Sequence, residues 1–498
     1  MTKAAAATAE ASTGIPGLDD ILGGGLARDR VYLLEGSPGT GKTTTAMSFL
    51  REGAKRGEPT LYITLSETED ELRDTAQSHG WDLHGVDIFE LVPPESLLDE
   101  QQQQSLLYSS DLELGETTRL IFEAVERLKP TRVVIDSLSE IRLLAQSSLR
   151  YRRQVLALKH YFAKHRATVL LLDDLTTEML DKTVHSVAHG VVRLEEMAPE
   201  YGAERRRVRV IKYRGRKVRG GFHDFTIRTG GLEVYPRLVS SEHRTHFTRD
   251  PLSSGVDGLD AILGGGVERG SSCLILGPAG TGKSLMALYF VLSALRRGEK
   301  AALFVFDEEL GLLFARVKAF GIDLEAMRES GDLLIQQVDA AELSPGEFTA
   351  RVRHYVQASG IRTVIIDSLN GYQAAMPEEN FLILHIHELL QFLNRQGATT
   401  FLTVAQHGLV GDMKAPVDVT YLADTVLLLR YFEAFGEVRR AVSVIKKRSG
   451  DHEKTIRAFE IGNKGLVVGP ALTDFHGVLR GVPNFVGQPA GLMADASE

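Results

Sequence analysis

Short, almost wholly apolar runs alternate along the chain with longer amphipathic ones. VYLLE precedes TTTAMSFLREGAKRG. The first is too short for a helix and reads as a buried strand. The second carries basic residues in its last turn and stops at Gly57, as helix ends prefer. TLYITL, RVVIDS and ATVLLLDD read as further strands. Thr68 and Glu71 have capping-box spacing for a helix opening in SETEDEL. Later the pattern returns as CLILG, AALFVF, TVIIDS and TTFLTV. Strands alternating with helices predict an α/β fold, with a mainly parallel sheet flanked by helices on both faces.

The return is a duplication. STGIPGLDDILGGGLARDRVYLLEGSPGTGKT aligns without a gap on SSGVDGLDAILGGGVERGSSCLILGPAGTGKS. The register persists through the next helix, to AKRGE and LRRGE. Two domains are expected, at 12–245 and 250–486, with the break in the polar stretch SSEHRTHFTRD. Residues 1–11 and 487–498 read as flexible tails. QQQQ at 101–104 reads as a solvated loop.

Composition narrows the class. Of 498 residues, 43% are hydrophobic and 25% charged, as in ordinary globular proteins. The formal net charge of −9 argues against a broad nucleic-acid or membrane surface. The one cysteine, Cys273, allows no intrachain disulfide. No run approaches the roughly 20 apolar residues of a membrane helix. A cytoplasmic protein is expected.

Both halves contain G-x-x-x-x-G-K-[ST]. The first copy comprises Gly36, Ser37, Pro38, Gly39, Thr40, Gly41, Lys42 and Thr43, with Thr44 following. The second comprises Gly277, Pro278, Ala279, Gly280, Thr281, Gly282, Lys283 and Ser284, with Leu285 following. A glycine-rich turn between strand and helix lets backbone N–H groups close on phosphate oxygens. Lys42 and Lys283 are expected to reach the β- and γ-phosphates of ATP. Thr43 and Ser284 are expected to bind Mg²⁺ through their hydroxyls. Asp136 and Asp367 end apolar strands and face the ligand crevice, where they can hold the Mg²⁺ shell. Ser137 and Ser368 are left as caps for the helices that follow.

Hydrolysis needs a group that orients or deprotonates water. The strand after the loop helix ends in ITLSET in the first half, offering Glu67 beside Ser66, and in FVFDEE in the second, offering Asp307 and Glu308. Late in each half, VRVIKYRG sets Lys212 and Arg214 two apart, and VSVIKKRSG does the same with Lys446 and Arg448. Residues two apart on a strand share a face. Such pairs are either solvated edges or cationic fingers for a neighbouring subunit's γ-phosphate.

With the loop, the strand-end aspartate, the acid corner and the K-x-R face all doubled, the chain resembles the KaiC family of clock ATPases and autokinases. The resemblance spans residues 12 to about 482. The phrase GxxGLDxxLGGG in both halves is typical of RecA-like ATPases. The resemblance implies two tandem RecA-like P-loop NTPase domains and a homohexameric double ring with ATP at subunit interfaces. It implies an N-terminal half acting mainly as an ATPase. The C-terminal half would be a kinase and phosphatase on its own Ser and Thr residues. It also implies a KaiB-like signalling partner. There are departures. Family members carry two glutamates at the acid corner, where this chain has Ser66-Glu67 and Asp307-Glu308. Ser449 displaces the usual glycine after Arg448. The two acceptor positions before ADTVLLLRY hold Thr420 and Tyr421, which leaves Thr420 as the phosphosite candidate. LTDFHGVLRGVPNFVGQ has no evident match to the segment that meets KaiA.

Two other readings share the ATP site. A RecA-type DNA motor would need basic loops after Asp136 and Asp367. The first loop offers Arg142, Arg150, Arg152 and Arg153, whereas the second, NGYQAAMPEEN, is acidic. A slow nucleotide-sensing scaffold fits the missing acid at Ser66.

Overall fold

The computed structural model describes residues 10–91, 106–175, 182–198, 202–240, 245–374, 379–406, 420–434, 436–462, 465–480 and 484–486. The glutamine run, the C-terminal tail and most of the N-terminal tail lie outside them. The chain divides into two compact units, residues 1–237 and 238–498. Glu10–Ala11, expected in the first tail, instead pair as a short strand with Leu26–Ala27, and Ala11 is buried.

The first unit is built on nine strands: β1 (Val31–Gly36), β2 (Thr60–Thr64), β3 (Val86–Glu90), β4 (Arg132–Asp136), β5 (Thr168–Asp174), β6 (Gly190–Met197), β7 (Arg205–Tyr213), β8 (His223–Arg228) and β9 (Gly231–Tyr235). They form one sheet in the order β9-β8-β7-β6-β1-β5-β4-β2-β3. The six strands from β6 to β3 are parallel, and β7 to β9 extend the sheet antiparallel.

The second unit repeats the plan with β10 (Ser272–Gly277), β11 (Ala301–Val305), β12 (Leu333–Gln337), β13 (Thr363–Asp367), β14 (Thr399–Ala405), β15 (Thr425–Ala434), β16 (Glu437–Lys447), β17 (Arg457–Gly462) and β18 (Gly465–Ala471). Their order is β12-β11-β13-β14-β10-β15-β16-β17-β18. Each unit is a RecA-like α/β layer structure with its phosphate-loop strand at the centre.

Unbroken apolar runs form these strands because both faces are covered. In β1, Val31 and Leu33 join a core with Leu158 and Phe162, while Tyr32 and Leu34 join another with Phe49 and Leu50. Side chains alternate across a strand, so every residue of a central strand meets a helix layer. Likewise Ile275 packs with Phe290 on one face of β10, and Leu274 with Phe392 on the other. The sheet order brings the carboxyl ends of β1, β5 and β4 side by side, which places the first site.

Candidate nucleotide sites

Each phosphate loop runs from a central strand into a helix, Lys42–Lys55 in the first unit and Lys283–Arg296 in the second. Gly41 and Gly282 take the N-cap positions at φ 90° and 101°, a region that L side chains rarely adopt. A Cβ on Gly282 would also stand 2.3 Å from Ile461 Cδ1. Neither helix has a side-chain cap, so its first N–H groups are left for an anion. A left-handed glycine leading into an uncapped helix thus stands at both expected places.

In the first unit Lys42 is buried and donates to the carbonyls of Gly36 and Ser37, both at 3.0 Å. It also pairs with Asp174 at 2.6 Å. The Tyr62 hydroxyl donates to Asp136 at 2.5 Å. Burial raises the Asp136 pKa, while hydrogen bonds from Tyr62 and Thr43 oppose the rise. Thr43 and Asp136, the two expected Mg²⁺ ligands, are thus neighbours. Glu67 lies half-buried at the end of β2, and its Oε2 is buried with no hydrogen-bond partner among the described residues. Burial and the charge of Asp136 push its pKa up. An unpartnered carboxylate oxygen beside a cradle and an aspartate fits a site that receives water or a metal shell.

In the second unit a cavity of about 390 Å³ opens on the loop, lined by Gly280, Lys283, Ser284, Glu308 and Arg440 among others. Lys283 donates to the Pro278 carbonyl at 2.8 Å. Burial lowers its pKa, against the pull of Asp367. Asp367 accepts from the Thr403 hydroxyl at 2.5 Å. Asp307 accepts a hydrogen bond from Ser368, and Glu308 pairs with Arg316 at 2.6 Å. Glu309 caps the next helix through the N–H groups of Gly311 and Leu312. Ser137 makes no side-chain cap bond, and the Ser368 hydroxyl turns to Asp307 rather than to its helix.

The K-x-R pairs do share a face. Lys446 donates to the carbonyls of Thr420 and Ala423, and Arg448 to that of Tyr421. Lys447 points away, to the carbonyls of Leu263 and Gly266. Lys212 and Arg214 repeat the arrangement on His185, Ala188 and Ser186. Of the arginines considered for DNA, Arg142 is neutralised by Asp173. Among the described residues no cluster of three or more His, Cys, Asp or Glu could hold a metal, and no helix is long and apolar enough to cross a membrane.

Two site residues escaped the sequence reading. Asp174 ends a strand beside the loop strand, so the rule that singled out Asp136 applies to it equally. Tyr62 sits inside an apolar run, where a hydroxyl needs a buried partner.

Two RecA-like units, each with a glycine loop, a buried lysine and a strand-end aspartate, define a tandem P-loop ATPase. The family model "ATPase: KaiC" matches residues 11–239 and 252–473, and the chain belongs to the KaiC family of ATP-binding ATPases. It is 28% identical over 488 residues to the circadian clock protein KaiC3 of Synechocystis, covering 96% of this chain and 95% of that protein. It is 29% identical over 484 residues to the circadian clock oscillator protein KaiC of Thermosynechococcus vestitus, covering 95% and 91%.

Proposed function

We propose that the protein is a regulatory ATPase and autokinase working as a homohexameric double ring. ATP binds at both loops, with Lys42 and Lys283 on its phosphates. Thr43 with Asp136, and Ser284 with Asp367, would hold Mg²⁺. When bound, that ion neutralises charge on the β- and γ-phosphates. Glu67 serves water activation in the first unit. Asp307 and Glu308 serve proton removal in the second, where phosphate is transferred to Thr420 of a neighbouring subunit. Lys212, Arg214, Lys446 and Arg448 stabilise charge on the neighbour's phosphate. An arginine has five donors, so the contacts of Arg214 and Arg448 with their own chain leave donors for a phosphate.

The observation that carries this reading is the matched pair of cradles: an uncapped helix start behind a left-handed glycine, with a buried lysine, in each unit. The ring, the phosphosite and a KaiB-like partner are carried over from the family and its relatives. The pairing of Arg142 with Asp173 weakens the DNA-motor alternative. The test is incubation with Mg·ATP followed by sizing and phosphosite mapping by mass spectrometry. A hexamer with phosphate on Thr420 is the expected outcome; a monomer, or an unmodified chain that still hydrolyses ATP, defeats the ring or the autokinase respectively.

A further inference from the structure

The two loops differ in where their acids come from. Asp174 ends β5, and strand register sets it opposite Gly36, the first residue of the phosphate loop. Its Oδ1 stands 2.6 Å from Lys42 Nζ. Its charge acts on both Asp136 and Glu67. In the second unit the residue opposite Gly277 is Ala405. The acid corner has the opposite asymmetry: Ser66 stands where the second unit has Asp307. Each site therefore carries two acids besides its strand-end aspartate. They are Glu67 and Asp174 in the first, and Asp307 and Glu308 in the second.

We propose that Asp174 is the second catalytic carboxylate of the first site, replacing the acid that Ser66 lacks. The inference rests on the reading of that loop as a hydrolytic ATP site. Lys42 has one amine, and phosphate competes with Asp174 for it. The more highly charged phosphate draws the amine away. The freed carboxylate then accepts a hydrogen bond from the attacking water while Glu67 takes the water's proton. The water oxygen bonds to the γ-phosphorus. The bond to the β,γ-bridging oxygen breaks, and its electron pair leaves on ADP. Glu67 passes the proton to solvent. Two acceptors fix the direction of the water's lone pair better than one. Asp174 thus holds Lys42 before ATP arrives and serves the water afterwards.

The test uses the full chain carrying Lys283→Ala, so that turnover reports on the first loop. ATP hydrolysis and binding of a fluorescent ATP analogue are measured with and without Asp174→Asn. Asp174→Ala is run in parallel. The expected result is a fall in kcat of ~10-fold or more with nucleotide binding unweakened, because Lys42 loses an ionic partner rather than a ligand contact. Adding Ser66→Glu to Asp174→Asn should then restore much of the rate. Tighter binding with unchanged kcat overturns the proposal, since Asp174 would be only a clamp on Lys42. So does a Ser66→Glu, Asp174→Asn chain that binds nucleotide but stays slow. If Lys42→Ala leaves turnover intact in the same background, the hydrolytic reading of the first loop falls and the inference falls with it.

Discussion

Lys446 Nζ lies 3.0 Å from the carbonyl oxygen of Thr420. The K-x-R pair therefore clasps the segment that carries the proposed phosphoacceptor. The same clasp recurs in the first unit, where Lys212 holds His185 and Ala188. There the position matching Thr420 is His185, which has no hydroxyl. One cationic device thus organises the same turn in both halves, and in the first turn the hydroxyl sits one residue later, on Ser186, at the position matching Tyr421.

Replacing Lys446 with alanine should loosen that turn. Charged hydrogen bonds contribute roughly 1.5–3 kcal/mol each, so opening of the 420–424 backbone should become at least ~10-fold more frequent. Hydrogen exchange read by mass spectrometry gives the opening. Phosphate incorporation at Thr420 should fall with it, and Lys212→Ala should spare that incorporation. An unchanged exchange rate at 420–424 would remove the clasp.

The two loop lysines should separate the two activities. Lys283→Ala removes the amine nearest the second cradle, and autophosphorylation should vanish. Lys42→Ala should instead weaken ring assembly or the ATPase of the first unit. Sizing with ATP, phosphate release and phosphate incorporation are measured on both variants. Equal losses in all three would defeat the division of labour.

The cradles were legible because every residue of G-x-x-x-x-G-K-[ST] is local in sequence, and its turn needs no distant partner to form. The parallel core was legible for a related reason: strands buried on both faces carry no polar alternation. Asp174 was not, because its meeting with Lys42 depends on β5 pairing with β1 across more than a hundred residues of chain. Arg132 was hidden in the same way. It opens an apparently apolar run, yet it is fully buried, held by Glu58 at 2.7 Å and by the carbonyls of Ser12 and Phe49. A sequence shows a charge in a strand but not the carboxylate that neutralises it.

The duplication itself supplies a stability test. Glu35 is buried in β1 opposite Arg193 of β6, which it meets at 2.7 Å, and it also meets His185. The same register in the second unit sets Leu276 opposite Leu428. Glu35→Leu alone leaves the half-buried Arg193 without its carboxylate and should cost roughly 1–3 kcal/mol. Glu35→Leu with Arg193→Leu copies the second unit and should recover most of that loss. Denaturant unfolding of the three chains decides it. A double variant no more stable than the single one would mean that His185, rather than Arg193, is the partner that matters.

Acid should destabilise the first unit through His223. Its Nδ1 accepts from the Arg237 N–H at 2.8 Å, and its Nε2 lies 3.0 Å from the Arg219 carbonyl. That arrangement is satisfied by the neutral ring with its proton on Nε2, and burial lowers the pKa from 6.5 to about 4. The unfolded chain takes up a proton below about pH 6.5, whereas the folded chain does so only near pH 4. Stability from this group is therefore complete above the unfolded pKa and lost as pH falls through that window. Between pH 7.5 and pH 5 the loss should be roughly 2 kcal/mol. Histidine NMR titration checks the cause, and denaturant midpoints at the two pH values check the effect. A His223 that titrates near 6.5 in the folded chain would remove the prediction.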